Sequence, residues 1–195
     1  FHSSIAKAKA FADNQPIFSD LFPQYWKTDN FHVSGKMPTS VRSHHMEEFE
    51  ASKRAIMTNA RCLTEGVDVP DIDCVLFADP KKSTIDIVQA VGRALRVSEG
   101  KKFGYVIVPV IIEDEGNFNE SEAFQSILMT LRALASNDER IIDYFRDRDN
   151  KKSGVKIERI FDERIADKIN VNDFIRELEL QVWSKLAKLS WRPFE

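Results

Sequence analysis

Short apolar runs alternate with helical patterns along the first half of the chain. The apolar runs predict strands at about residues 31–34, 54–58, 74–78 and 104–112, and residues 1–2 look like the end of another strand. Helices are predicted from the N-cap Ser4 to about residue 13, at about residues 38–51, and at about 84–95. This alternation predicts an α/β fold, a parallel sheet with helices on both faces. In such sheets, ligands bind at the carboxyl ends of the strands.

The last strand and the second helix each permit a more detailed prediction. Pro109 removes one donor from the last strand, which can end it early. On the second helix, the candidate buried positions are Val41, Met46 and Phe49.

The pattern changes beyond about residue 113, where helical stripes replace the apolar runs. One stripe consists of Phe124, Ile127, Leu128, Leu131 and Leu134. A second consists of Ile175, Leu178, Val182, Leu186 and Leu189. With a further helix at about residues 138–145, they predict a helical appendage over residues 113–195, after an α/β domain over residues 1–112.

Composition narrows the class of protein. Hydrophobic residues make up 43% of the chain and charged residues 30%, as in soluble globular proteins. We found neither an apolar run of about 20 residues nor a signal peptide, so no membrane association is expected. Cys62 and Cys74 lack metal-ligand spacing, which favours a reduced, cytoplasmic compartment. Both ends of the sequence look as if they continue into a longer protein.

The net charge bears on nucleic-acid binding. It is −3, with a sequence pI of about 5.9, whereas a free-standing DNA-binding domain usually carries a basic surplus. Any contact with nucleic acid is therefore expected to depend on a few local phosphate contacts, or on another part of a longer protein.

The segment 89–96 is the most informative in chemistry. At 3.6 residues per turn, Gln89, Arg93 and Arg96 lie on one stripe of a helix whose other side is apolar. Two planar, permanently charged guanidinium groups on one rigid helix suit phosphate oxygens. Gly92 would let a backbone or ligand approach closely. By periodicity alone, the segment also fits an amphipathic helix with two solvated arginines.

The segment 58–70 leaves the end of a strand and reaches Gly66 before the next one. Asp68 could accept hydrogen bonds from a ribose, and Thr58 could donate one to a phosphate. Considered alone, the segment also fits a plain connection with a glycine turn and a proline stop.

In combination, these segments resemble the second RecA-like lobe of superfamily 2 helicases. Residues 58–70 resemble motif V, and residues 89–96 resemble motif VI in its Q-x-x-G-R-x-x-R form. Upstream, residues 1–4 resemble motif IV and residues 33–35 resemble motif IVa. The resemblance covers about residues 1–112 and implies a RecA-like parallel sheet followed by the helical appendage.

The resemblance implies an ATP site shared between two lobes. Arg93 and Arg96 would be arginine fingers that reach the γ-phosphate of ATP held by a first lobe, and Gln89 would lie beside them as a third catalytic residue. The nucleotide would contact Glu65, Gly66 and Asp68, the last of them near the ribose.

The resemblance also implies contacts with a nucleic-acid backbone. These would come from Thr58, helped by Ser3, Ser4 and Gly35.

The sequence lacks the other half of the ATP site. We found no G-x-x-x-x-G-K-[ST] phosphate loop and no acidic metal-binding box. The resemblance assigns both, and with them the Mg²⁺ ligands, to a first lobe, without which no ATP turnover is expected. We expect no metal site in this chain, because the adjacent His44 and His45 would point about 100° apart on a helix.

The form of motif VI suggests which nucleic acid is bound. Gln89 differs from the usual H-R-I-G-R start of DEAD-box RNA helicases, and the two motifs resemble those of bacterial DNA translocases in restriction-modification systems. Double-stranded DNA is therefore the expected partner. Two alternatives stay open, namely an RNA helicase lobe and a degenerate RecA-like module that serves binding or assembly.

Overall fold

The computed structural model describes residues 1–25, 27–60, 72–79, 83–94, 99–109, 122–136, 138–146, 155–156, 158 and 171–186. Within these ranges the elements are α1 (Ile5–Leu21), a 3-10 turn (Pro23–Tyr25), β1 (Asp29–Val33), α2 (Thr39–Ala51), β2 (Ala55–Asn59), β3 (Cys74–Leu76), α3 (Thr84–Ala94), β4 (Tyr105–Ile107), α4 (Glu122–Ala135), α5 (Glu139–Arg146) and α6 (Val171–Leu186).

The chain forms two compact units. The first consists of residues 1–81 and 89–109, and the second of residues 82–88 and 110–195. The sequence-based division at residue 112, between an α/β domain and a helical appendage, stays a prediction.

The described strands are parallel, as the apolar runs predicted. β1 pairs with β2 in a register that runs from Asp29 opposite Ala55 to Val33 opposite Asn59. β3 pairs with β4 from Cys74 opposite Tyr105 to Leu76 opposite Ile107. The last strand was predicted to reach residue 112, but it ends at Ile107, two residues before Pro109, and residues beyond 109 lie outside the described part.

Residues 1–2 join the two strand pairs. The N–H of His2 donates to the carbonyl of Asn59 at the end of β2 (2.9 Å). On the other side, the nitrogen of Phe1 donates to the carbonyl of Leu76 (2.7 Å), and the N–H of Ala78 donates to the carbonyl of Phe1 (3.0 Å). Residues 1–2 are not assigned to a strand, but their backbone hydrogen bonds connect them to both strand pairs as the predicted strand end would.

Helices α1 and α2 cover opposite faces of the β1–β2 pair. On β1, the Phe31 ring lies 6.2 Å from the Phe49 ring of α2, nearly edge-on. The next residue, His32, interacts electrostatically with Lys9 and Asp13 of α1. His32 also interacts with His45 of α2, so the faces are decided by the connections: right-handed crossovers that run in opposite directions, from residues 1–2 to β1 and from β1 back to β2, place the two helices on opposite sides.

Helix α1 begins at the predicted cap but ends later than predicted. Ser4 has an extended backbone, and its hydroxyl oxygen accepts a hydrogen bond from the N–H of Lys7 (3.2 Å). The predicted end at residue 13 was wrong, because the helix continues through Pro16 to Leu21. A proline lacks one backbone donor, and here its loss does not stop the following turn.

Helix α2 occupies the predicted segment, with Pro38 at its N-cap, but none of its residues is buried. Val41 is 38% exposed, and Met46 and Phe49 are half-buried. The expected burial of these three side chains was therefore wrong in degree. Aromatic contacts with β1 come from the rings of His45 and Phe49, so the apolar face of α2 is only partly covered.

The second unit has its own core, to which α4, α5 and α6 contribute. Its buried members are Leu128, Ala135, Ile141 and Val182. Half-buried side chains around them are Leu131, Leu134, Ile142 and Val155. Much of the predicted α4 stripe therefore packs as expected, whereas on α6 only Val182 of the predicted stripe has a described side chain.

Among the helices in the described part of the chain, none is both long and apolar enough to cross a membrane.

Candidate functional site

The carboxylate of Asp79 accepts hydrogen bonds from α1 and from the turn before α1. Asp79 follows β3, and its Oδ2 accepts hydrogen bonds from the backbone N–H of Ser3 (2.8 Å) and from the Ser3 hydroxyl (3.1 Å). Its Oδ1 accepts one from the ammonium group of Lys7 (2.7 Å). Nearby, Nδ1 of the buried His2 lies 3.7 Å from Oδ2. The end of β3 is thus bonded directly to the turn that resembles motif IV.

These contacts determine the charge of Asp79. Its side chain is only 14% exposed, and burial alone would raise the pKa of the carboxyl group. The hydrogen bonds from Lys7 and Ser3, together with the positive charge of Lys7, outweigh burial and lower the pKa to about 2. The group is therefore ionised at physiological pH.

Two of the predicted nucleic-acid contacts lie in this turn. Both donors of Ser3 bind Asp79, so in this arrangement neither is directed at a ligand. Ser4 is exposed and caps α1, with its oxygen used as an acceptor by Lys7. Because a hydroxyl also has a hydrogen to donate, Ser4 can cap the helix and contact a phosphate together.

Thr58 lies on β2 beside His32 of β1. It is 3% exposed, and its hydroxyl donates to the carbonyl of Phe31 (3.3 Å) and lies 3.0 Å from Nδ1 of His32. Burial, and next the positive charge of Lys9, lower the pKa of His32. The Thr58 side chain is thus bonded inside the sheet, and the predicted phosphate contact requires it to change partner.

Gly35 follows β1 and is exposed. A Cβ atom built at this position would meet no atom within 4 Å. Among the described residues, packing around Gly35 does not require a glycine, and the position is open.

Helix α3 carries the segment that resembles motif VI. Ser83 caps this helix. Its carbonyl oxygen accepts a hydrogen bond from the N–H of Ile87 (3.2 Å), and its hydroxyl oxygen accepts one from the N–H of Asp86 (3.2 Å). Ile87, Ala90 and Val91 are at most 2% exposed, whereas Gln89 and Gly92 are exposed. A Cβ at Gly92 would also meet nothing within 4 Å. The buried and exposed sides of the helix match the predicted amphipathic pattern.

Several predicted site residues lie outside the described part. Arg93 belongs to α3, but its side chain is not described, and Arg96, Glu65, Gly66 and Asp68 fall outside the described residues altogether. Their roles in nucleotide binding and catalysis stay predictions.

Sequence reasoning gave no role to Asp79, Lys7 or Asn59. The position of Asp79 could have indicated a site residue, because a charged residue directly after a parallel strand lies where ligand sites form. Asn59 is 1% exposed at the end of β2, and its side-chain oxygen is buried with no hydrogen-bond partner among the described residues. Such groups are rare in native proteins and are often found at functional sites.

Within the described ranges, no group of three or more His, Cys, Asp or Glu side chains is placed to hold a metal ion. The rings of His44 and His45 lie 6.4 Å apart at 84° to one another.

A comparison with known families matches about half of the chain. Residues 5–98 match the family described as "Helicase conserved C-terminal domain". The chain contains the C-terminal RecA-like lobe of a superfamily 2 helicase. The observed parallel strands and the capped, amphipathic α3 are therefore those of a helicase lobe.

Two known proteins illustrate this relationship. A probable helicase of African swine fever virus is 33% identical over 109 residues, which are 55% of this chain and 12% of the viral protein. The structure of the ATP-dependent Type ISP restriction-modification enzyme LlaBIII bound to DNA superposes with a TM-score of 0.69 and 29% identity. That match covers 92% of this chain and 13% of the enzyme. Each match thus spans about one eighth of the larger protein.

Proposed function

We propose that this chain is the second motor lobe of an ATP-dependent DNA translocase or helicase. In this role it would complete an ATP site whose phosphate loop and Mg²⁺ ligands belong to a first lobe. Cleft closure around ATP would move the two lobes along the DNA backbone, by about one step per hydrolysis.

The observation that carries the proposal is the asymmetry of α3. Ile87, Ala90 and Val91 anchor the helix by burial, while Gln89 and Gly92 stay exposed. Arg93 follows Gln89 by about one helical turn. A rigid helix can then present a guanidinium group to the nucleotide with little loss of order on binding.

The assignment of the nucleotide site follows the family resemblance. Arg93 and Arg96 would stabilise charge on the γ-phosphate, and Gln89 would lie near the attacking water. Glu65, Gly66 and Asp68 would contact the nucleotide, with Asp68 near the ribose.

Double-stranded DNA is proposed as the partner on two grounds. Motif VI begins with Gln89, and the similar restriction-modification enzyme is bound to DNA. With a net charge of −3, this chain would hold DNA by local contacts such as those at Ser4 and Gly35.

The arginine fingers can be tested in the complete protein by measuring DNA-stimulated ATPase activity. Arg96→Ala and Arg93→Ala should each lower turnover by about 10³-fold or more, because a finger stabilises transition-state charge. Arg176→Ala, which removes an exposed arginine of α6, is the matched control and should keep wild-type turnover. Circular dichroism would check that each variant is folded. Wild-type turnover in Arg96→Ala would remove the finger assignment.

The same assay separates the alternatives. Stimulation by RNA but not by duplex DNA would replace the DNA proposal with an RNA helicase. Absence of any ATPase activity in the complete wild-type protein would favour a degenerate module for binding or assembly.

A further inference from the structure

The donors around Ser3, Ser4 and Lys7 are not equally available to a ligand. Asp79 accepts from both donors of Ser3 and is only 14% exposed, so a phosphate group would have to displace a largely covered carboxylate to reach them. Ser3 therefore fixes the turn rather than contacting the nucleic acid.

Lys7 differs from Ser3 in both exposure and donor number. Its side chain is 60% exposed, and its hydrogen bond to Asp79 uses one of the three N–H donors of the ammonium group. The other two can bind phosphate oxygens while the contact with Asp79 is kept. Ser4, one helical turn before Lys7, still has its hydroxyl hydrogen to donate.

We propose that Asp79 is a positioning residue that holds Lys7 toward the nucleic-acid backbone, and that Lys7 with Ser4 makes the phosphate contact at this turn. This inference rests on the proposed function, since it assumes that the lobe binds nucleic acid. The contact of Lys7 and Ser4 requires a phosphodiester backbone and is independent of the base sequence.

The physical reason for such an arrangement is preorganisation. A free lysine side chain has about 2 kcal/mol of rotamer entropy to lose when it is fixed. Asp79 is itself fixed by the backbone N–H of Ser3, so it can restrict the ammonium group before a ligand arrives. In a chain with net charge −3, a correctly placed cation matters more than it would on a basic surface.

Lys9 provides a matched control on the same helix. Its ammonium group contacts Asp13 at 2.7 Å, and it is 64% exposed, close to the 60% of Lys7. The two lysines thus have the same charge and similar exposure and pairing, but Asp13 is 60% exposed and lies on α1 itself.

The test measures the affinity of the complete protein for a fluorescein-labelled DNA duplex as a function of salt concentration. Lys7→Met should weaken binding about three- to tenfold and reduce the slope of log K against log salt by about one, as expected for one lost phosphate contact. Lys9→Met should leave the slope at its wild-type value. An unchanged slope in Lys7→Met would overturn the proposal.

The role of Asp79 is tested by a double-mutant cycle with Lys7. Asp79→Asn should weaken binding in the wild-type background but have no further effect in Lys7→Met, because Asp79 acts through Lys7. A purely structural role would weaken both backgrounds equally, and an Asp79 that competes with phosphate would give tighter binding in Asp79→Asn. Either result overturns the positioning role.

The wild-type protein separates this inference from the proposed function. If it does not bind the duplex or a matching RNA, the proposed function fails. If it binds and the variants behave as Lys9→Met does, only the role of Lys7 and Asp79 fails.

Discussion

The carboxylate of Asp79 links stability to pH in a way that can be measured. Its pKa of about 2 lies below the ordinary value of 3.8, because bonds from Lys7 and Ser3 outweigh the opposing effect of burial. A group whose pKa is lower in the folded state stabilises the fold above its unfolded pKa. This contribution is therefore present above about pH 4 and is lost as the pH falls from about 4 towards 2.

Asp79→Asn should accordingly destabilise the chain at neutral pH. The loss in free energy of unfolding is expected to be about 1–2 kcal/mol at pH 7, since the exposed Lys7 is partly screened by solvent. The difference from wild type should shrink as the pH falls below 4. Urea unfolding followed by circular dichroism at pH 7 and pH 3 would measure it. Asp13→Asn is the control, and an equal effect there would contradict the special role of Asp79.

Single residues also show how far the sequence could predict the site. The cap at Ser4 was predictable because its signal is local, a serine before a helical pattern. The bonding of Ser3 to Asp79 was not, since it joins residues 76 positions apart in sequence and depends on how residues 1–2 insert beside β3. Thr58 illustrates the same limit, because its hydroxyl partners belong to another strand.

Among the elements, α3 permits a comparison of two glycines. Gly92 lies within the helix and Gly100 beyond it, and a Cβ at either would meet no atom of the described residues within 4 Å. They differ in backbone conformation, since Gly100 has a φ of +80°. Gly92→Ala should raise helix stability by about 0.5–1 kcal/mol. Gly100→Ala should lower the free energy of unfolding by about 1–2 kcal/mol, because L residues are strained at positive φ. Thermal unfolding of both variants would test these signs.

The same pair tests what α3 faces. In the complete protein, Gly92→Ala should lower DNA-stimulated ATPase activity despite its stable fold, because the added methyl group would occupy the face proposed to meet the nucleotide. Gly100→Ala should retain activity at temperatures where it is folded. Full activity in Gly92→Ala would remove this position from the nucleotide-facing surface.

Elements were predictable to the extent that their signals were periodic. Strands β1, β2 and β3 and helix α3 lie on the predicted segments, because continuous apolar runs and a 3.6-residue pattern are both visible in one sequence. Element ends were less predictable: α1 continues past residue 13 through Pro16, and β4 stops at Ile107. The predicted burial of side chains on α2 was wrong for a different reason, because burial depends on how closely the helix approaches β1.

At the scale of the whole molecule, the division into two units implies that damage to one core can be local. Val182 of α6 is 1% exposed and packs with Leu128, Ala135 and Ile141, all in the second unit. Val182→Ala removes buried methyl groups and should destabilise that unit by about 1–3 kcal/mol. Leu180→Ala is the control on the same helix, because Leu180 is 54% exposed and its loss should have little effect.

Hydrogen exchange read by mass spectrometry can locate this effect. Val182→Ala should speed exchange of the backbone amides in α4, α5 and α6, since they share the core cavity that the substitution creates. The amides of β1 and β2 should exchange at wild-type rates, because their hydrogen bonds and the helices that cover them belong to the first unit. Equal acceleration in both units would mean that they unfold as one cooperative body. The helical appendage would then contribute to the stability of the helicase lobe, and its removal would impair the proposed ATP and nucleic-acid sites as well.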